Sequence, residues 1–205
     1  MRSNIKKSLE KARKYLQFSP KKVYNIENPQ EAQKMSSITI QQKGITDIAA
    51  DAIVNAANSG LWAGGGVCGA IFSKAGYDEL TAACDAIGHC DEGSAVITPG
   101  FACPCKFIIH AVGPQYLDGK HGEPDALYGA YAKSLELCRG HEVHSVVFPL
   151  ISAGIFGYPL RGAWEGAARA CKDFLAVNSD YDLDIIFAIP ESEKVRVGQE
   201  VLQKA

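Results

Sequence analysis

No stretch of the 205-residue sequence is apolar for anything near the roughly 20 residues that a membrane-crossing helix needs. The basic N-terminal segment also lacks the apolar core of a secretory signal. Seven cysteines cannot all pair within one chain, and most of them fall in apolar or helix-like segments that suit reduced thiols. We therefore expect a cytoplasmic protein.

A paired zinc motif is missing as well. Cys103 and Cys105 are separated by a single proline rather than by the two residues usual in zinc sites, and no second pair stands at a suitable distance. Cys84, His89 and Cys90 complete the one cluster with suitable donors. The sequence therefore predicts no metal site.

Positive charge is scarce outside the first 35 residues. Residues 1–35 hold nine Lys/Arg and three Asp/Glu, whereas the remainder holds twelve and twenty. Because residues 36–205 are acidic overall, we do not expect general nucleic-acid binding. We expect no membrane partner either. The arm has apolar residues at helical spacing, so residues 1–36 are predicted to form a basic helical extension and linker. Such a pattern is typical of a solvated helix; contact of this segment with an acidic partner or a membrane surface is the alternative.

Familiar catalytic signatures are absent. The sequence has no GxxxxGK[ST], GxSxG or HExxH. Gly64, Gly66 and Gly69 match the GxGxxG dinucleotide fingerprint, but nine residues separate Val54 from Gly64, whereas the fingerprint follows its strand directly. A Rossmann-type oxidoreductase is therefore disfavoured, and no cofactor is expected.

What the chain does contain, from Ile38 onward, is an alternation of short β-rich runs and longer helical patterns. The predicted strands are 37–41, 51–54, 95–98, 107–112, 145–150 and 184–189, and the predicted helices are 66–75, 77–87, 124–138, 160–177 and 192–203. Nearly continuous apolar strands between helices indicate a sheet covered on both faces. Residues 37–205 are thus predicted to be one α/β domain, a three-layer α/β/α sandwich with a mixed central sheet.

Two strand–glycine loop–helix units stand out because neither loop has a basic residue. The first loop runs through Asn55-Ala-Ala-Asn58 to Gly64-Gly65-Gly66, and the second is Ser152-Ala-Gly-Ile-Phe-Gly157. Backbone N–H groups between a strand and a helix bind anions without Lys or Arg. Two such loops facing each other would hold a diphosphate, which favours a nucleotide-like ligand. The alternative is that the glycines only permit tight turns.

Four segments together resemble the macrodomain family, the ADP-ribose-binding α/β/α module. They are Asp51-Ala-Ile-Val-Asn-Ala-Ala-Asn58, Gly64-Gly-Gly-Val67, Ile109-His-Ala-Val-Gly-Pro114 and Ser152-Ala-Gly-Ile-Phe-Gly157, in the family's order and spacing. The pattern is most similar to the MacroD-like branch, which removes ADP-ribose from modified acidic side chains and deacetylates O-acetyl-ADP-ribose. The resemblance implies a monomeric hydrolase of ADP-ribosyl esters that positions a water at the distal ribose. A non-catalytic reader of ADP-ribosylated proteins is the alternative.

The resemblance also implies roles for particular residues. Asn58 would hold the distal ribose and Phe156 would orient it, with Cys68 and Gly154 completing the catalytic set. Asn55 is expected to hold its loop by side-chain hydrogen bonds or to touch the ligand. The full set expected at the ligand is Gly44, Ile45, Asn55, Asn58, Gly64, Gly65, Gly66, Val67, Ser152, Ala153, Gly154, Ile155, Phe156, Gly157 and Pro190.

Some positions depart from the family pattern. Gly44 stands where the family usually has an Asp that recognises the adenine amino group, and Pro190 stands where an aromatic often stacks on adenine. Cys68 and Phe72 stand where MacroD-like enzymes have Asp and His. Because Cys68 falls in the first turn of a predicted helix, whose dipole favours a thiolate, a nucleophilic or redox role is one hypothesis. The other is that a small residue is merely tolerated there.

Two further residues have alternative interpretations. His110, inside an apolar strand, is predicted to be a hydrogen-bonded core histidine rather than a base. Trp62, between the asparagines and the glycines, either covers a ligand or packs against its own loop.

Overall fold

The structure is a computed structural model that describes residues 36–204. Six strands form one sheet: β1 (Ser37–Gln41), β2 (Ala52–Ala56), β3 (Ser94–Pro99), β4 (Phe107–Val112), β5 (Ser145–Phe148) and β6 (Asp184–Ala188). The helices of this part are α1 (Gly66–Ala75), α2 (Tyr77–Ile87), α3 (Glu123–Gly140), α4 (Leu160–Val177) and α5 (Ser192–Lys204). The predicted N-terminal helix lies outside the described residues.

The sheet has the strand order β1-β6-β5-β2-β4-β3. All neighbours are parallel except β3, which runs antiparallel to β4. One face packs against α3, α4 and α5 around Trp164, and the other packs against α1 and α2 around Phe72; both aromatic side chains are fully buried. This arrangement confirms the predicted three-layer sandwich with a mixed sheet.

Strand ends differ from the predictions in two places that matter. Strand β2 continues to Ala56, so Asn55 lies within the strand, paired with His110 of β4, rather than in the following loop. Strand β5 ends at Phe148 instead of residue 150, because Pro149 has no N–H to donate to a neighbouring strand. A short 3₁₀ helix at Ile45–Asp47, which the sequence patterns did not indicate, follows β1.

The central pair of strands, β2 and β5, is joined unevenly along its length. At the amino end, the Asp51 carboxylate accepts hydrogen bonds from Ser145 Oγ (3.0 Å) and from the His144 N–H (3.1 Å). A hydrogen bond from Lys106 lowers the pKa of Asp51, so this carboxylate stays charged. Beyond it the strands pair at two positions only, Ala52 with Val146 and Ile53 with Val147. They are therefore not paired at their carboxyl ends.

No helix between residues 36 and 204 is both long enough and apolar enough to cross a membrane. All seven cysteines of the sequence fall within this range and are free thiols, six of them buried. Their burial fits the expectation of reduced core thiols.

Candidate functional site

A cavity of about 470 Å³ opens at the carboxyl ends of β2, β5 and β6, where β2 and β5 are no longer paired. Crevices at such positions in parallel sheets are common ligand sites. The two glycine loops predicted to face each other do so across this cavity. The residues that line it are Ala56, Ala57, Asn58, Trp62, Gly64, Gly65, Gly66, Val67, Cys68, Gly113, Pro149, Leu150, Ile151, Ser152, Gly154, Ile155, Phe156, Ala188, Ile189, Pro190, Glu191 and Lys194.

Most of the residues expected at the ligand are brought together here. Ten of the fifteen line the cavity, and so does Cys68. The five that do not are Gly44, Ile45, Asn55, Ala153 and Gly157. Of these, Ile45 and Asn55 are buried beneath the wall, at 5% and 1% exposure. The structure therefore places Asn55 under the site rather than in it.

The amino end of α1 presents backbone N–H groups to this cavity. Gly65 is the N-cap residue, and no side chain of the described residues caps the helix. The first-turn N–H groups of a helix have no partner within the helix, so they remain available to an anion. Gly66 has φ of +59°, a left-handed conformation that a residue with a Cβ rarely adopts. The third glycine of the triplet is thus needed for this turn.

The second loop presents a matching set of donors. No acceptor within residues 36–204 takes the N–H groups of Gly154, Ile155 and Phe156. The hydroxyl of Ser152, which lines the cavity, is also buried without a partner in this range. Buried hydroxyls normally have hydrogen-bond partners, so a ligand atom is a suitable partner for Ser152.

Fixed charge plays a small part in the cavity. In the described part of the chain, two of the lining residues are charged, Glu191 and Lys194, and Lys194 Nζ lies 2.8 Å from Glu191 Oε1. This hydrogen bond lowers the pKa of Glu191 and keeps the pair ionised. An anionic ligand would therefore depend on neutral amide donors, as the sequence predicts.

The two asparagines of the Asn55-Ala-Ala-Asn58 motif make different contacts. Asn58 Nδ2 donates to the Trp62 carbonyl at 2.8 Å, and Asn58 Oδ1 accepts from the Trp62 N–H at 3.3 Å. Asn58 therefore holds the loop while it lines the cavity. Asn55 makes side-chain hydrogen bonds from within β2: its Nδ2 donates to His110 Nδ1 at 3.1 Å and to Cys68 Sγ at 3.6 Å, the sulfur that accepts the Gly64 N–H.

Cys68 lies in the first turn of α1, as predicted, with 5% of its surface exposed. Its sulfur accepts the Gly64 N–H at 3.3 Å and lies 3.8 Å from the Trp62 carbonyl, to which the thiol donates. The thiol thus connects the helix to both ends of the Trp62–Gly64 segment. Its contacts are those of a residue that positions the glycine loop.

His110 is fully buried beneath this cluster. Thr98 Oγ1 lies 3.0 Å from its Nε2, and Asn55 occupies the other ring nitrogen. Burial lowers the pKa of His110 to about 4, so the ring is neutral at physiological pH. The prediction of a hydrogen-bonded core histidine is confirmed.

Phe156 is supported by a loop that Glu123 organises. The Glu123 carboxylate accepts N–H groups from Leu117 (3.1 Å), Asp118, Gly119 and His121. Its own backbone N–H, together with those of His121, Leu117 and Asp118, lowers the pKa of Glu123 to about 2 against the opposing effect of burial. The same loop carries Tyr116, whose N–H donates to the Phe156 carbonyl at 2.9 Å.

Two other candidate sites have fewer polar groups that are free to bind a ligand. A cavity of about 500 Å³ lies between α3 and α4, but its Arg139 is paired with Asp180 at 2.8 Å and its Tyr128 hydroxyl donates to Asp173. Asp118, His121 and Glu123 come within metal-ligand distance of one another, yet the Glu123 oxygens already accept four backbone N–H groups. The cavity between the glycine loops is therefore the candidate site.

Several residues of its wall were not singled out from the sequence. Gly113 belongs to the Ile109–Pro114 segment, Glu191 directly follows Pro190, and Lys194 lies four positions after Pro190. Tracing each parallel strand a few residues past its carboxyl end would have found them. No sequence signal marks the backbone contacts of Asn58.

An α/β/α fold with two amide-lined loops at one sheet edge defines a protein that binds anionic nucleotide-like ligands. The family model described as "Macro domain" matches residues 54–167, more than half of the chain. The chain belongs to the macrodomain family.

Relatives and solved structures are similar to this chain over most of their length. The O-acetyl-ADP-ribose deacetylase of Escherichia fergusonii is 44% identical over 171 residues, which cover 82% of this chain and 96% of that protein. The protein of the same name from Citrobacter rodentium is 40% identical, with the same coverage. The Oceanobacillus iheyensis macrodomain with ADP superposes with a TM-score of 0.76 at 33% identity, covering 80% of this chain and 89% of that one. The Trypanosoma brucei macrodomain in complex with ADP-ribose gives 0.74 at 31% identity, covering 80% and 68%.

Proposed function

We propose that this macrodomain binds ADP-ribose and hydrolyses ADP-ribosyl esters, either on mono-ADP-ribosylated protein side chains or in O-acetyl-ADP-ribose. The observation that carries the proposal is two groups of backbone N–H donors that face one cavity and have no acceptor within residues 36–204. One group lies at the amino end of α1 and the other at Gly154–Phe156. Such an arrangement suits a diphosphate held without cationic side chains. Relatives named O-acetyl-ADP-ribose deacetylase support the hydrolytic part. A cytoplasmic, monomeric protein is part of the same proposal.

The ligand would lie along the cavity with its adenine toward Ile189 and Pro190 and its distal ribose beside Asn58 and Phe156. The diphosphate would bridge the two loops, and the buried Ser152 hydroxyl would gain its partner there. A water held near the phosphates would attack at the distal ribose. The protein then contributes orientation and stabilisation of developing negative charge rather than a nucleophile of its own.

Cys68 would act as a positioning residue in this scheme. Its sulfur already accepts the Gly64 N–H and contacts Trp62, so it fixes the loop that holds the phosphate and ribose. The neutral His110 and Asn55 lie behind it and support its position. We assign none of these three side chains a proton-transfer step.

A non-catalytic reader of ADP-ribosylated proteins is the second candidate. The observation that favours it is that Glu191, paired with Lys194, is the only carboxylate among the lining residues within 36–204. A site without a free carboxylate has less means to activate a water.

One experiment separates these functions. The protein is titrated with ADP-ribose by calorimetry and then incubated with mono-ADP-ribosylated protein and with O-acetyl-ADP-ribose, and the release of ADP-ribose or acetate is measured. Binding with release supports the hydrolase, binding without release makes the protein a reader, and no binding at millimolar ADP-ribose rejects both.

The matched variants are Gly65→Glu and Gly140→Glu, which introduce the same charge in different places. A side chain at position 65 would start 3.7 Å from Ile155 Cδ1, between the loops, whereas nothing lies within 4 Å of the position at 140. We expect Gly65→Glu to abolish ADP-ribose binding by repulsion and Gly140→Glu to bind like the wild type. Equal binding by both variants would place the diphosphate elsewhere.

A further inference from the structure

Two exposed apolar side chains stand on opposite sides of the cavity mouth. Seven large apolar side chains within residues 36–204 are exposed, and only Trp62 and Ile155 among them line the cavity. Trp62 is 66% exposed and Ile155 is 85% exposed. Trp62 precedes the glycine triplet, and Ile155 reaches over Gly65 from the second loop. We call these two side chains the apolar rim.

The tryptophan of the rim is held in place although it is exposed. Its backbone is fixed by two hydrogen bonds to Asn58 and by the Cys68 thiol. Its ring lies against Gly60, where an added Cβ would be only 1.7 Å from Trp62 Cζ3. Fixing a large aromatic side chain in solvent before binding lowers the entropy cost of covering it later. The geometry is that of a preformed contact surface.

The rim borders the end of the cavity where the distal ribose would lie. The Asn58 side chain donates a hydrogen bond to the Trp62 carbonyl, and the Cys68 thiol donates to the same oxygen. A group attached to that ribose would leave the cavity between Trp62 and Ile155. Among the described residues that line the cavity, the charged ones are Glu191 and Lys194, and both follow β6.

We propose that the apolar rim binds the polypeptide on which the ADP-ribosyl group is carried, so that the chain acts on modified proteins rather than chiefly on small ADP-ribosyl esters. This rests on the proposed ADP-ribose function of the cavity. Exposed tryptophans at the edge of a cavity contribute most when a partner surface covers them. An acetyl group is too small to cover both Trp62 and Ile155. The residues that flank a modified side chain in a polypeptide are large enough to cover both. Because both rim side chains are apolar, they favour apolar or uncharged residues next to the modified position.

The first test compares ligands on matched variants. Trp62→Ala and Ile155→Ala are measured against Val177→Ala, whose residue is 80% exposed outside this cavity. The ligands are ADP-ribose and a tryptophan-free peptide that carries ADP-ribose through a stable amide linkage. We expect Trp62→Ala to weaken peptide binding by about tenfold more than ADP-ribose binding, as for a hot-spot aromatic residue. Val177→Ala should change neither.

Gly60→Ala provides an independent variant. The added methyl would displace the Trp62 ring without removing it, and peptide binding should weaken while ADP-ribose binding changes less. Fluorescence gives a second readout, because the only other tryptophan, Trp164, is fully buried. Acrylamide quenching therefore reports on Trp62. The peptide should protect it from quenching, and ADP-ribose should not.

Three outcomes would overturn the proposal. Equal losses for peptide and ADP-ribose would mean that Trp62 contacts the ligand itself. Unchanged peptide binding in Trp62→Ala would remove the rim from recognition. A concentration-dependent dimer in light scattering that Trp62→Ala abolishes would assign the rim to a second copy of this chain. Failure of the wild type to bind ADP-ribose would instead reject the proposed function itself.

Discussion

Comparing Cys68→Ser with Cys68→Ala tests whether the thiol positions the glycine loop or takes part in the reaction. The thiol is 5% exposed and accepts N–H groups from Gly64 at 3.3 Å and from Asn55 at 3.6 Å. Serine keeps an acceptor and a donor at the same place, whereas alanine leaves the Gly64 N–H without its partner. We expect Cys68→Ala to lower the free energy of unfolding by about 1–3 kcal/mol and Cys68→Ser to lower it by less.

The same contacts predict how the Cys68 variants bind ADP-ribose. If loss of the sulfur lets Gly64 move, ADP-ribose should bind Cys68→Ala up to about tenfold more weakly, which corresponds to about 1.4 kcal/mol. Any hydrolysis should fall by a similar factor in Cys68→Ala and hardly at all in Cys68→Ser. Urea unfolding, calorimetry and single-turnover release measure the three quantities.

One result would refute this reasoning. A Cys68→Ser variant that is stable and binds ADP-ribose normally, but releases it on the order of a thousandfold more slowly, would make the thiol a participant in the reaction. Normal release by both variants would exclude a thiol nucleophile and leave the contacts without consequence for turnover.

Three further predictions concern side chains around the site. Asn58→Ala removes both hydrogen bonds to Trp62 and should weaken ADP-ribose binding at least about tenfold by calorimetry; wild-type affinity would contradict it. Lowering the pH from 6.5 to 4 should lower the free energy of unfolding by up to about 3 kcal/mol through His110, because the unfolded chain takes up the proton more readily than the buried ring, whose pKa is about 4. Urea unfolding of wild type and His110→Gln at several pH values measures this contribution, and identical slopes would contradict it. Glu123→Gln places an N–H₂ group against backbone N–H donors, so the variant should unfold at a lower temperature. It should also bind ADP-ribose more weakly, because the loop that Glu123 holds contacts Phe156. An unchanged melting curve would exclude a role for Glu123 in holding this loop.

Local patterns were enough to predict the main elements of the sheet and helices. Continuous apolar runs predicted every strand, and helix α4 matched its prediction from Leu160 to Val177. The glycine loops were predicted to face each other because parallel strands expose their carboxyl ends at the same sheet edge. These features depend on residues close together in the chain.

The contacts inside the site depend on residues far apart, and they were not predictable in the same way. Asn55 pairs with His110, 55 positions away, because β2 and β4 are neighbours in register. Because the predicted strand ended at Val54, two residues before the end of β2 at Ala56, Asn55 was placed in the loop instead of the strand. The exposed Trp62 ring likewise lies against Gly60, a contact that no periodicity indicates.

Because β2 and β5 are paired over a short length, ligand binding would affect how rigidly the two halves of the sheet are held together. Two residue pairs join these strands, whereas β2 and β4 share five and β3 and β4 share six. The seam between β5 and β2 divides β1, β6 and β5 from β2, β4 and β3. A diphosphate bound to both loops would bridge this seam and join the two halves, so occupancy would stiffen the sheet as well as the loops. Amide hydrogen exchange at the carboxyl ends of β2 and β5 would then slow when ligand is added.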